Sequence, residues 1–343
     1  MIQSVNFPIC TYSIAPYGGW DVLSERLREL GLDGIEGISD PDDPDVTFPV
    51  SLLAGYHMIF YPDWLDFYRQ NVPELIRKFG SMDTVRRFYR GTSPDDLMKQ
   101  FREDLAYSQS LHTPYVVFHV SDVSIEEGYT YRWLHSDKEV LDASIEFINE
   151  LLRDVKPDFD FLVENQWWPG FTFTDPGKTE YLLSGIKYPR TGIMLDTGHL
   201  MNTNTAIRTQ ADGVKYILDM VRKHGELSDR ILGIHFHQSL SGTYVRRNTG
   251  KMPDLPGDYF EAFAVNYAHI QRIDRHRPWT DPACASILEE IMPQYLTHEL
   301  SSGPRRPQLT AVRRQLRTIR KGQTTALVPP SAAFKNGEED SLD

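Results

Sequence analysis

Eight short apolar runs, separated by segments with a helical pattern, constrain the fold of this chain more than any other feature of its sequence. Most runs are continuous rather than alternating, as in strands that crossover helices bury on both faces. Eight βα units in succession predict an α/β fold, a (β/α)8 barrel, and a doubly wound sheet with fewer paired strands is the alternative. The predicted strands are Val5–Ile14, Asp33–Ile38, Val50–Ile59, Tyr115–Val120, Asp160–Glu164, Thr191–Leu195, Arg230–Phe236 and Gln294–Leu300.

The chain divides into three predicted regions. Residues 1–302 form the barrel, with an insertion at 242–277 between the seventh and eighth strands. This insertion is too long for an ordinary βα loop and is expected to be a lid or to hold small helices. Residues 303–322 alternate apolar residues at helical spacing with arginines, which predicts a basic C-terminal helix that packs on the barrel. Residues 323–343 have the composition of a flexible tail.

The charge balance of the chain restricts its partners. The 343 residues carry 36 Lys and Arg against 48 Asp and Glu, a net charge of −12. Residues 1–302 alone carry 28 basic and 44 acidic side chains, a net charge of −16. An acidic body repels phosphate backbones at long range, so binding of long nucleic acid is disfavoured.

The sequence carries no targeting or membrane signal. Its first residues lack the basic and apolar regions of a signal peptide, and no run is long and apolar enough to span a bilayer. Cys10 and Cys284 cannot form a disulfide framework and lack the spacing of a zinc knuckle. We therefore expect a soluble, cytoplasmic protein without a membrane partner.

Acidic and imidazole side chains recur where the predicted strands end, and a barrel brings these ends together at one mouth. A single histidine beside a strand is commonly structural, and Asp196 alone could be the N-cap of the next helix. The joint pattern predicts a divalent metal site, because crowded carboxylates repel one another unless a cation neutralises them. The side chains are His57, His119, Glu164, Asp196, His199, His235, His237 and Glu299, with Asp274 and His276 in the long connection.

The mixture of imidazole and carboxylate donors indicates the kind of metal. It suits Mn²⁺, Zn²⁺, Co²⁺ or Fe²⁺ better than Ca²⁺ or a thiolate-seeking ion. His235 and His237 are two apart in an extended strand and face the same side, so His237, nearer to the mouth, is the predicted ligand. His235 is expected to lie deeper, and His298 to face away from Glu299.

Four motifs resemble the strand ends of the xylose isomerase-like TIM-barrel superfamily. They are Leu162-Val163-Glu164-Asn165, Met194-Leu195-Asp196-Thr197-Gly198-His199, His235-Phe236-His237 and Thr297-His298-Glu299. That superfamily includes sugar isomerases, ketose and inosose epimerases, dehydratases and the endonuclease IV type of apurinic/apyrimidinic endonucleases. The resemblance implies that Glu164, Asp196, His237 and Glu299 are shared metal ligands, with His199 as a substrate or second-metal residue.

Two branches of that superfamily imply different numbers of ions, from one to three. The endonuclease branch binds three zinc ions with nine ligands, and all nine types occur here in order. However, Asp274-Arg275-His276 lies 37 residues beyond His237, and a surface turn is its other interpretation. The ketose epimerases have an arginine close after the ligand histidine, whereas Arg246 comes later here. The nine are His57, His119, Glu164, Asp196, His199, His237, Asp274, His276 and Glu299.

The leading hypothesis is a metal-dependent isomerase or epimerase of a sugar or related polyol. Glu164 and Glu299 would exchange protons with substrate carbon through an enediolate-like intermediate, with His199 as a third catalytic residue. A small polyhydroxylated substrate is the expected partner, and a homodimer is a further expectation. The residues predicted to contact the substrate are His119, His199, Trp167, Trp168 and Arg246.

A multinuclear metal phosphodiesterase that resembles the repair endonucleases is the alternative. The nine ligand types and the basic segment Arg305–Lys321 favour it, and the acidity of residues 1–302 opposes it. The number of bound ions separates the two hypotheses. A barrel that only binds a ligand is a third possibility, although the acid, base and ligand residues are intact.

Overall fold

Eight parallel strands close on themselves into a barrel in a computed structural model that describes residues 1–40, 42–43, 46–301 and 308–326. Each strand pairs with its neighbours in sequence, and the last pairs with the first. The prediction of a (β/α)8 barrel is therefore confirmed. The strands are β1 Ile2–Ile9, β2 Gly34–Ser39, β3 Leu53–His57, β4 Tyr115–His119, β5 Asp160–Glu164, β6 Thr191–Asp196, β7 Ile231–His235 and β8 Tyr295–His298.

Helices connect the strands and cover the barrel. Serine caps open three of them, with reciprocal bonds to the backbone at Ser93, Ser124 and Ser136. The helices are α1 Thr11–Ile14, α2 Trp20–Leu30, α3 Leu65–Tyr68, α4 Val72–Phe79, α5 Met82–Tyr89, α6 Pro94–Ser110, α7 Ile125–Thr130, α8 Asp137–Leu151, α9 Pro176–Gly185, α10 Thr197–Asn202, α11 Gln210–His224, α12 Gly242–Asn248, α13 Tyr259–Ile273, α14 Ala285–Ile291 and α15 Gln308–Ala326. Short 3₁₀ turns lie at Ala15–Tyr17, Val50–Leu52, Gly225–Arg230 and Pro282–Cys284.

Two of the predicted strands include residues that form helical turns. The first run, Val5–Ile14, is a strand only to Ile9, and its last four residues form α1. The third run begins with a 3₁₀ turn at Val50–Leu52 before the strand starts at Leu53. Both errors have one cause, because a short apolar run is equally compatible with a buried strand and with a buried helical turn.

The insertion at 242–277 holds helices of its own. It contains α12 and α13, and the chain returns to the barrel through an antiparallel bridge between Gln238 and Arg277. Helix α13 packs against α7, which follows β4. This arrangement places α13 over the carboxyl ends of the strands, where barrel active sites lie.

From residue 308 on, the basic C-terminal segment forms α15, which packs on the barrel through its apolar face, and residues 303–307 of the predicted helix lie outside the described residues. Val312 and Ile319 are buried, and the Gln315 side chain donates to the backbone oxygen of Phe236 and accepts from the N–H of Trp279. The helix extends to Ala326 and so includes the first four residues of the segment predicted as a tail. The rest of that segment lies outside the described residues, and no described helix is long and apolar enough to cross a membrane.

A buried ionic cluster joins the loops that follow β3 and β4. The Lys78 amine on α4 lies 2.8 Å from Asp63 and 2.7 Å from Asp66, and its side chain is only 3% exposed. Asp122 belongs to the same cluster and accepts hydrogen bonds from two backbone N–H groups of the loop after β3. Burial raises the pKa of Asp63 to about 7, although Lys78 opposes the shift. The lysine charge therefore holds three buried acids together.

Replacement of this lysine should destabilise the protein strongly. Lys78→Met leaves Asp63, Asp66 and Asp122 without their shared cation, so we expect a loss of about 3 kcal/mol in the free energy of unfolding. Lys99→Met is the matched control, because Lys99 is 72% exposed and its pairing with Glu103 should contribute less than about 1 kcal/mol. Equilibrium urea denaturation measures both, and equal stability of the two variants would contradict the assigned role.

Candidate metal centre

Three strand ends meet at the carboxylate of Glu164. His57 and His119 end β3 and β4, and their Nε2 atoms lie 3.3 and 3.2 Å from Glu164 Oε2. The other carboxylate oxygen, Oε1, lies 3.0 Å from Nδ1 of His199. Glu164 is 1% exposed, so both of its oxygens face protein nitrogens in a buried setting. The sequence prediction that these strand ends converge agrees with this geometry.

Asp196 has a structural and a site contact at the same time. One oxygen, Oδ1, caps α10 by accepting the backbone N–H of His199 at 2.6 Å. The other oxygen, Oδ2, lies 2.8 Å from His237 Nε2. The N-cap interpretation and the ligand interpretation of Asp196 are therefore compatible, because each uses a different oxygen.

Thr197 and Gly198, the middle residues of the Asp-Thr-Gly-His motif, each have a structural role at the end of β7. The Thr197 hydroxyl lies 3.0 Å from the carbonyl oxygen of His235 and 2.6 Å from that of His237. A Cβ atom at Gly198 would lie only 2.0 Å from Cε1 of His237. Threonine thus fixes the end of β7, and glycine leaves the space that the His237 ring occupies.

The long insertion returns two side chains to the site. Asp274 follows the end of α13, and its Oδ2 lies 3.2 Å from His199 Nε2 and 2.6 Å from His276 Nε2. His276 adopts a left-handed backbone conformation with a φ of 42°, which is rare for a histidine and recurs at functional sites. The Asp274-Arg275-His276 segment is therefore part of the mouth and not a surface turn.

His235 and Glu299 complete the floor of the mouth. His235 is fully buried, and its Nδ1 lies 2.9 Å from Glu299 Oε2 and 3.5 Å from Glu164 Oε2. Its Nε2 lies 2.9 Å from Glu36 Oε1. Glu36 is 2% exposed and also accepts hydrogen bonds from Tyr115 and Thr297 at 2.7 and 2.9 Å.

Glu36 is a site residue that the sequence interpretation missed. It lies within β2 and not at the end of the strand, so a search of strand ends does not find it. The available signal was an acidic residue inside an otherwise apolar run, between Ile35 and Gly37. Such a residue is rarely buried without a partner, and here His235 provides one.

Attraction between acids and imidazoles dominates the electrostatics of the mouth. Burial alone would raise the pKa of Glu164, but His119 and His235 hold it well below its usual range. Asp274 shows the same balance, with His276 and His199 lowering its pKa. Burial would lower the pKa of His276, but Asp274 and Glu299 outweigh it and raise the pKa to about 9.

The donor set fits divalent metal ions. Within each of four groups, the donor atoms of three or more side chains lie within 4.8 Å of one another. Mixed nitrogen and oxygen donors of this kind are typical of Zn²⁺, Mn²⁺, Fe²⁺ and Co²⁺ sites. The groups are His57 with His119 and Glu164; Glu164 with Asp196 and His235; Asp196 with His237 and Glu299; and His199 with His237, Asp274 and His276.

A cavity of about 550 Å³ opens onto part of this donor set, namely His57, His119, His199, Asp274, His276 and Glu299. Trp167 and Trp168 line it, and the Trp167 ring lies 5.0 Å from the ring of His199. Among the described residues, no lysine or arginine lines the cavity. Arg246 is not brought to it, because its guanidinium on α12 instead bonds the backbone oxygen of Thr205.

Comparison with known proteins places the fold in a family. A family model described as a xylose isomerase-like TIM barrel matches residues 24–321. A solved L-ribulose 3-epimerase is 12% identical over 95% of this chain and 96% of its own, with a TM-score of 0.55. Endonuclease IV from Thermus thermophilus is 14% identical over 94% of this chain and 100% of its own, with a TM-score of 0.47.

The likeness to the epimerase shows the fold alone, because the identity is low. No curated protein matches the sequence significantly. The family match, in contrast, covers most of the chain, including the segments that supply Glu164, Asp196, His237 and Glu299. It confirms the resemblance seen in the strand-end motifs: the chain belongs to the xylose isomerase-like TIM-barrel family.

Proposed function

We propose that this protein is a divalent-metal-dependent isomerase or epimerase of a small polyhydroxylated compound. One observation carries the proposal: Glu164, Asp196, His237 and Glu299 belong to overlapping groups of metal donors next to a cavity that Glu299 lines and that no described lysine or arginine lines. A phosphate or carboxylate substrate usually requires such cations, whereas the hydroxyl and carbonyl groups of a sugar do not.

The two glutamates are suited to proton transfer at carbon. His119 and His235 hold the pKa of Glu164 well below its usual range, and His235 lowers that of Glu299, despite the burial of both. Both side chains are therefore carboxylates, which is the form that accepts a proton. Both lie within 3.5 Å of the same atom, His235 Nδ1, and therefore reach the same space. A bound divalent ion would supply Lewis-acid stabilisation of the negative charge that develops on substrate oxygens.

Other side chains would bind the substrate and limit its contact with water. His119 and His199 line the cavity beside Glu164, where their ring nitrogens can contact hydroxyl groups. Trp167 is 7% exposed and stacks near Trp168, with ring centroids 4.1 Å apart. Together these rings form an apolar wall next to the acids, which excludes water from the reacting carbon.

Solvent deuterium exchange tests this function. Metal-loaded protein, incubated in D₂O with a panel of ketoses, aldoses and inositols, should incorporate deuterium at carbon in at least one compound. Glu164→Gln and Glu299→Gln should each slow incorporation by at least about 100-fold, because the amide cannot accept the proton. Glu290→Gln, a surface change that only breaks a contact with Arg222, is the matched control and should retain the wild-type rate. Mass spectrometry measures the exchange, and no incorporation into any compound would contradict the proposal.

A multinuclear hydrolase is a second candidate, and the number of donor groups favours it. Both Glu164 oxygens face imidazoles, as expected of a carboxylate that bridges two cations. The group of His199, His237, Asp274 and His276 could hold a further ion. Such a site would activate water against a phosphodiester. The absence of lysine and arginine among the described cavity residues opposes this function.

Metal counting separates the two functions. We expect one or two equivalents of metal per chain by inductively coupled plasma mass spectrometry, held by the group that includes Asp196, His237 and Glu299. His237→Ala should lose metal, whereas the control His112→Ala, at an exposed position on another part of the chain, should retain it. Three equivalents, together with hydrolysis of bis(4-nitrophenyl) phosphate, would support the hydrolase instead.

The raised pKa of His276 predicts how stability depends on pH. An imidazolium with a raised folded-state pKa stabilises the fold below its unfolded pKa of about 6.5, and this contribution is lost as pH rises through the folded value. For His276 that value is about 9. Chelator-treated protein should therefore lose thermal stability between about pH 6.5 and 9.

Metal binding should show the opposite trend over the same range, because a histidine ligand must be neutral to bind a cation. The increase in melting temperature on addition of Mn²⁺ should therefore grow from about pH 6.5 to 9. Differential scanning fluorimetry with and without Mn²⁺ measures both trends. If Mn²⁺ raises the melting temperature by the same amount across this pH range, the His276 imidazole does not lose a proton when metal binds, and the prediction is wrong.

A further inference from the structure

One face of α13 forms an apolar wall of the cavity. Tyr259, Phe263, Tyr267 and Ile270 follow one another at intervals of four, four and three residues, which places them on one side of the helix. All four line the cavity, and the next residue on the same side is Asp274. The helix therefore joins an apolar surface directly to the polar floor of the site.

Phe60 adds an aromatic surface to the cavity from the loop after β3. Its ring lies over that of His119, with centroids 4.3 Å apart. Phe60 is 46% exposed and Tyr267 is 58% exposed, although both line the same cavity. Large aromatic side chains left exposed next to a binding site indicate a surface that a ligand covers.

The cavity is divided into two chemically different ends. Acids and imidazoles line the end at the mouth of the barrel, and Phe60 borders them through its contact with His119. Tyr259, Phe263, Tyr267 and Ile270 of α13 contribute an apolar surface, and Asn266 and Gln271 are the polar residues of this helix that also line the cavity. A volume of about 550 Å³ is in the range that holds drug-sized ligands. A monosaccharide at the polar end would leave the apolar wall in contact with water.

We propose that the substrate is an uncharged polyol or sugar that carries an aromatic substituent. This inference rests on the proposed function and specifies its substrate class. The polyol lies at the end of the cavity that Glu299 and His276 line, with Glu164 buried beneath it, and the aromatic group packs against Phe60 and Tyr267. Planar rings bind such walls through apolar burial and through offset or edge contacts.

Calorimetric binding to the Mn²⁺-loaded protein tests the inference without requiring turnover. The ligands are the 4-nitrophenyl glycosides of glucose, galactose and xylose, each compared with its methyl glycoside. At least one 4-nitrophenyl glycoside should bind about tenfold more tightly than its methyl partner, because the ring buries apolar surface that a methyl group cannot cover.

Two substitutions locate the aromatic group. Tyr267→Ala and Phe60→Ala should each reduce the preference for the nitrophenyl compound by at least about threefold and leave the affinity for the methyl glycoside unchanged. Both positions are exposed, so neither change should prevent folding. Val265→Ala is the matched control, because Val265 is 42% exposed on the same helix but does not line this cavity.

Several outcomes would overturn the inference. They are equal affinity for each pair of glycosides, no measurable binding of any nitrophenyl glycoside, or a preference that survives both aromatic substitutions. Failure of the proposed function can be distinguished from failure of this inference, because deuterium exchange tests the function and glycoside binding tests the substrate class. If the aromatic preference is preserved without deuterium exchange, the isomerase is rejected and the substrate class is retained. If deuterium exchange occurs without the aromatic preference, the isomerase is retained and the substrate class is rejected.

Discussion

The carboxylate of Glu164, enclosed among imidazoles, is the interaction on which the rest of the mouth depends. A buried glutamate is unstable unless charge or hydrogen bonds compensate for lost solvation. Here His57 and His119 approach one oxygen from two other strand ends, and His199 approaches the second oxygen from the first turn of α10. These contacts explain why polar residues recur at the ends of strands whose interiors are apolar. Closure of the barrel joins this group to Glu36, because His235 on β7 lies 2.9 Å from Glu36 on β2 across the barrel interior.

Much of this arrangement could be predicted from the sequence, because the apolar runs and the polar residues that end them are visible in short stretches of the chain. Continuous apolar runs indicated the barrel, and the residue that ends each run pointed to the mouth. The Asp-Thr-Gly-His motif could be assigned for the same reason, since Asp196 ends a strand and starts a helix. Contacts that depend on tertiary packing could not be predicted in this way. Glu36 lies inside a strand, and only the barrel interior shows that His235 pairs with it.

The insertion shows a second limit of sequence reasoning. Distance along the chain made Asp274 and His276 doubtful partners of His237, yet α13 spans the mouth and delivers both to His199. The same insertion carries Arg246, which the sequence suggested as a substrate contact. Helix α12 directs that side chain to the backbone at Thr205, away from the cavity. The directions of α12 and α13 determine that Arg246 lies away from the cavity and that Asp274 and His276 lie at the site. No local pattern in the sequence specifies these directions.

The position of Asp274 at the end of α13 links access to the cavity with the charge balance of the site. The helix that walls the cavity also holds the carboxylate that faces His199 and His276. Displacement of α13 from the mouth would separate two imidazoles from their shared anion in a buried environment, which is energetically unfavourable. The covered form of the cavity and the complete set of acidic and basic side chains are therefore one structural state, and the entry route for a ligand is set by electrostatics as much as by shape.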